Sequence, residues 1–87
     1  MKAMLFYRPN SEHQRLVEDY VRDFARHTGK ELPLVSMNTP DGTDKAELYG
    51  IMKFPSIIAT DDEGKMLQMW DGELLPRFDE VSFYVQS

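Results

Sequence analysis

The side chains that could carry chemistry are few, and their spacing assembles none of the usual catalytic machinery. Ser11 and His13 come nearest to a nucleophile and its base. A serine nucleophile needs its base within hydrogen-bond reach. Residues i and i+2 at the start of a helix point in different directions, and Ser11 has a structural use there as an N-cap. His13 and His27 have no third ligand at metal-binding spacing and read as solvated histidines. Asp61, Asp62 and Glu63 gather three carboxylates but lack the alternating oxygen ligands of a calcium loop. They read as a polar hairpin tip, and Asp41-Gly42 and Asp44 as ordinary loop acids. There is no cysteine, which removes disulfides, thiol catalysis and thiolate metal sites together. No cofactor is expected. The start of the first helix is a candidate anion site, because free N–H groups and the helix dipole attract negative charge. Arg8 and Lys53 would add positive charge nearby.

The elements that position these residues follow from periodicity and punctuation. Residues 3–8 are a short apolar run closed by Pro9-Asn10, too short for a helix, and read as a buried strand. Ser11 and Gln14 fit a capping box, and Glu12 suits the positive end of the helix dipole. The helix then runs to about His27 with Leu16, Val17, Tyr20, Val21, Phe24 and Ala25 on one face. Gly29 ends it. Residues 32–38 read as a second strand, with Pro33 placing it at an edge because proline removes a ladder donor. Residues 39–42 read as a loop, and Asp41 or Thr43 caps a short helix through Ala46, Leu48 and Tyr49 that closes at Gly50. Pro55 belongs at the first residue of the next strand, with Ser56-Ile57-Ile58-Ala59 behind it. Residues 61–65 turn the chain into a paired strand over 66–70. Asp71-Gly72-Glu73 is a turn, and Pro76 fits the first turn of a last helix carrying Phe78, Val81, Phe83, Tyr84 and Val85. The order is β-α-β-α-β-β-α, an α/β sheet with helices on both faces.

Composition bounds the rest. A chain of 87 residues with 41% hydrophobic content is expected to form one domain over 1–87. A net charge of −5 argues against nucleic acid, whose phosphates need Lys and Arg. No stretch approaches the roughly 20 apolar residues of a membrane helix. The first residues read as a strand rather than a signal peptide, so the expected location is cytoplasmic.

The stretch Tyr49-Gly50-Ile51-Met52-Lys53-Phe54-Pro55-Ser56, followed by an apolar strand, resembles the cis-proline segment of the thioredoxin family. The resemblance runs from Leu5 to the last helix, and from Ser11 to Pro55 the register needs no gap. It implies a thioredoxin-like fold with a four-stranded mixed sheet, of glutaredoxin-like size. Ser11 falls where the family has its first cysteine and Gln14 where it has its second. Leu5 replaces the family's buried aspartate and Asn10 a frequent tryptophan. The redox apparatus is thus missing as a set. Thiol–disulfide exchange needs an attacking thiolate, and no residue here supplies one.

In that family the backbone before the proline pairs with an extended peptide, a small case of strand addition. The resemblance therefore implies a peptide- or protein-binding groove built from Pro9, Asn10 and Ser11, from Met52, Lys53, Phe54 and Pro55, and from Asp71 and Gly72. Phe54 would be the apolar contact, flanked by Tyr7 and Trp70, although core packing accounts equally well for Phe54 and Trp70. Met4, Met37, Met66 and Met69 read as core, whereas Met52 lies in the docking turn. Two other functions stay open. One is a glutathione-like or other small anion bound by Arg8, Ser11 and Lys53. The other is an assembly subunit whose oligomeric state the sequence leaves unspecified.

Overall fold

A computed structural model describes residues 1–85; the domain expected over 1–87 includes Gln86 and Ser87, which lie outside the described residues. The elements are β1 (Lys2–Tyr7), α1 (Gln14–Thr28), β2 (Leu34–Ser36), α2 (Pro40–Tyr49), β3 (Ser56–Thr60), β4 (Met66–Asp71) and α3 (Phe78–Ser82). The four strands form one mixed sheet in the order β2-β1-β3-β4. β1 runs parallel to β2, with Leu5 opposite Leu34. β3 runs antiparallel to both neighbours, Ile57 facing Leu5 on one side and Trp70 on the other. Pro33 does precede an edge strand.

Side chains alternate across a strand, so consecutive apolar residues supply two cores. Ala3, Leu5 and Ile57 point to the face covered by α1 and α3, where they meet Val17, Phe24 and Val81. Phe6 and Ile58 point to the face covered by α2, where they meet Ala46 and Ile51, with Met4, Met37, Met66 and Met69 packed around them. β3 is buried along its whole length, as a strand covered on both faces must be. Tyr20, Phe24 and Phe78 lock α1 to α3, with Phe78 5.1 Å from the Tyr20 ring and 5.8 Å from that of Phe24.

Several boundaries differ from the sequence expectation. Ser11 does not cap α1. The helix begins at Gln14 after His13, and the Ser11 hydroxyl donates instead to the Arg8 carbonyl at 2.6 Å. The other half of the expected box is also absent, since the Gln14 side-chain oxygen accepts the Asn10 N–H rather than that of Ser11. The helix closes at Gly29, whose φ of 71° needs a residue without Cβ and whose N–H reaches the Ala25 carbonyl at 2.9 Å. β2 keeps only three of the residues expected of it. α2 starts two to four residues earlier than read, depending on which of the two expected caps is taken. Thr39 is its cap, accepting the Gly42 N–H at 3.0 Å, and Pro40 takes the first turn, where its missing N–H costs no hydrogen bond. Pro55 precedes β3 rather than opening it. Pro76 likewise stands outside α3, which is only five residues long; the Arg77 N–H at its start donates to the Glu80 carboxylate at 3.0 Å. Among the described residues no helix is long and apolar enough to cross a membrane.

Candidate functional site

Three chain segments converge at one end of the sheet. The first is the loop after β1, which is tied to itself at three points. The Arg8 N–H donates to His13 Nε2 at 3.1 Å, the Arg8 carbonyl accepts from Ser11, and the Asn10 N–H is held by Gln14. Asn10 sits at φ 60°, a left-handed conformation that asparagine tolerates better than most residues. The second segment is the turn between α2 and β3. Gly50 releases the chain from the helix at φ 69°. Ile51 drops into the core at 8% exposure, while Met52 projects outward at 89%. The Phe54–Pro55 peptide bond is cis. The third segment is the turn after β4, anchored where the Gly72 N–H donates to the Pro55 carbonyl at 2.9 Å.

Between them lies an open cleft of about 350 Å³. Its walls are Arg8, Ser11, Glu12 and His13 from the first segment, Met52 and Phe54 from the second, and Glu73 from the third. The Arg8 guanidinium carbon stands 4.8 Å from the Phe54 ring centroid, over its face. Of the anticipated groove residues, Ser11, Met52 and Phe54 line this cleft. Pro55 is buried beneath it, and Ser56 behind it donates its hydroxyl to the Lys53 carbonyl at 2.5 Å. Pro9, Asn10, Lys53, Asp71 and Gly72 surround the cleft without lining it. Gln14 also points elsewhere, its amide donating to Glu18 at 3.2 Å. Phe54 is half-buried, packing against the α2-side core while one face meets Arg8. Tyr7 and Trp70 belong to the other core, Trp70 lying 5.7 Å from Tyr84.

The arrangement contains no assembled serine nucleophile. Ser11 donates to a carbonyl, and the His13 ring nitrogen that could have served it already accepts the Arg8 N–H. His13 is not solvated, as its sequence position suggested, but buried at 8% exposure. His27 is exposed, with Nδ1 3.0 Å from the Asp23 carbonyl. Among the described residues no three His, Asp or Glu side chains converge as metal ligands do. The Pro9–His13 loop is expected at the groove, but nothing in the sequence marks Glu12 or Glu73 individually as cleft residues. Their convergence depends on a loop folding back on Arg8 and on a turn sixty residues away in the chain. What the geometry offers is a pre-ordered, half-apolar surface. No family model matches the chain, and no curated protein matches it.

Proposed function

We propose that this chain is a thioredoxin-like, redox-inactive binding module that docks an extended peptide or protein segment in the cleft beside Pro55. One observation carries the reading. The turn before Pro55 presents Met52 almost wholly to solvent, and among the described residues the backbone N–H and carbonyl of Phe54 have no hydrogen-bond partner. A free backbone donor and acceptor beside an exposed flexible thioether are what strand addition requires: main-chain bonds for affinity and a pliable apolar contact for side chains. The three ties within the loop after β1 favour binding further, because a surface ordered in advance loses little entropy when occupied. The element order and the mixed sheet are compatible with the thioredoxin-like assignment. With no cysteine present, the cleft has no thiol chemistry to perform. A small anion is the poorer occupant, since two carboxylates line the cleft and Lys53 does not.

The test is titration of isotope-labelled protein with a pool of extended apolar hexapeptides, followed by amide chemical shifts. Shifts should concentrate on Ser11, Met52 and Phe54. Met52→Glu should abolish them while leaving the far-UV spectrum unchanged, because a substitution at so exposed a position alters stability by no more than about 0.5 kcal/mol. Shifts confined to another face, or unaffected by Met52→Glu, would sink the proposal.

A further inference from the structure

The charges around the cleft narrow what fits in it, and this step rests on the peptide-binding reading above. Three charged side chains line the cleft: Arg8, Glu12 and Glu73. Arg8 has its guanidinium over the Phe54 ring, where the ring's negative face receives it. Glu12 and Glu73 are exposed, and among the described residues neither takes part in an ion pair. Lys53 and Asp71, which do not line the cleft, are both exposed and carry opposite charges. The cleft thus places two unpaired carboxylates around an apolar strip of Met52 and Phe54, against one lining guanidinium that lies over the Phe54 ring, so the charge of its walls is negative. The molecule as a whole carries a net charge of −5, which repels acidic partners and draws basic ones.

We infer that the occupant is an extended peptide segment with an apolar side chain next to a lysine or arginine. The apolar group lies on Met52 and Phe54, the peptide backbone pairs with the free Phe54 amide and carbonyl, and the cationic side chain reaches Glu12 and Glu73. Long basic side chains suit this geometry because their aliphatic stems can cover apolar surface while the head stays with the carboxylates.

Three acetylated, amidated hexapeptides test this. They share an apolar centre and differ in one flanking residue, which is lysine, glutamine or glutamate. Affinity from amide shifts at low salt should fall in the order Lys, Gln, Glu, with about three- to tenfold between the first two, as expected for exposed ion pairs. The preference should vanish in the Glu12→Gln/Glu73→Gln double variant and shrink at 0.5 M salt, where the Debye length drops to a few ångströms. Both positions are exposed, so the variant should fold; its thermal transition is the control. If all three peptides bind equally and shift Met52 and Phe54, the charge preference is wrong and the groove reading stands. If the glutamate peptide binds best, Arg8 and Lys53 are the recognising groups and the inference is overturned. A lysine preference that survives in the double variant puts the cation elsewhere and also overturns it. If no peptide shifts the cleft resonances, both readings fall.

Discussion

Tyr20 illustrates how much one side chain's surroundings decide. Its hydroxyl donates to the Pro76 carbonyl at 2.8 Å, tying α1 to the segment before α3. Burial holds its ionisation well above the ordinary tyrosine range, and the Glu80 carboxylate nearby pushes it the same way. The unfolded phenol ionises near pH 10. The folded state therefore keeps its proton to higher pH than the unfolded state does. The resulting stability is complete below about pH 10 and is lost as pH rises toward the folded value. Tyr20→Phe should cost about 1 kcal/mol at pH 7 for the lost hydrogen bond. Urea midpoints of the two proteins should then converge between pH 9 and pH 11, because only the wild type carries this penalty. A gap that stays constant with pH would show that Tyr20 does not ionise differentially. Local hydrogen bonding of this kind is where the sequence was least legible. Ser11 and Gln14 satisfy the letter of a capping box, yet Ser11 bonds backward to Arg8. His13 sits on what looks like a solvated turn, yet is buried because the Arg8 N–H needs an acceptor.

At the scale of elements, Gly42 explains the main misplacement. Asp41-Gly42 reads as a turn, but the chain is already helical there. The glycine is required by packing rather than by backbone angle. A Cβ at this position would lie 2.0 Å from the Ser36 carbonyl oxygen, which belongs to β2. Helix α2 thus approaches the edge strand too closely for any side chain. Alanine is the better helix former by about 1 kcal/mol, so propensity and packing pull in opposite directions, and the backbone clash should win. Gly42→Ala should lower stability by about 1–3 kcal/mol, or roughly 5–15 °C in Tm for a chain of this size. Asp44→Ala, exposed on the same helix, should be nearly neutral. A neutral Gly42→Ala would mean that α2 can move away from β2 at little cost. The strands were more legible than the helix starts because alternation and β-branching mark them directly. Even so, β4 departs from simple pairing: its register against β3 shifts by one between Ala59 and Thr60. The Met69 N–H is met by the side chain of its own neighbour Gln68 at 3.0 Å, which leaves this edge strand one fewer donor for an incoming strand.

For the whole molecule, the decisive feature is that two cores share one sheet. Leu5 and Ile57 serve one face, and their immediate neighbours Phe6 and Ile58 serve the other. The run Ser56-Ile57-Ile58-Ala59 made this arrangement legible, since a continuous apolar strand has to be covered on both sides. The cleft was only partly legible because its walls come from three distant segments: Ser11, Met52 and Phe54 were anticipated, whereas Glu73 carried no signal of its own. Sharing the sheet has a thermodynamic consequence. Neither core can be lost without separating β1 from β3, so the two faces should melt together in one transition. Ile57→Val and Ile58→Val remove one methylene from each core at fully buried positions, and each should cost about 0.5–1.5 kcal/mol. The two side chains point in opposite directions and share no core neighbours. Their effects should therefore add to within about 0.5 kcal/mol in the double variant, although they are adjacent in sequence. Urea unfolding followed by Trp70 fluorescence, which reports the α1 face, and by far-UV circular dichroism should give coincident curves for all four proteins. Non-coincident curves in either single variant would mean that one face opens independently of the other, and the sheet would then be a hinge between two separable layers rather than their common support.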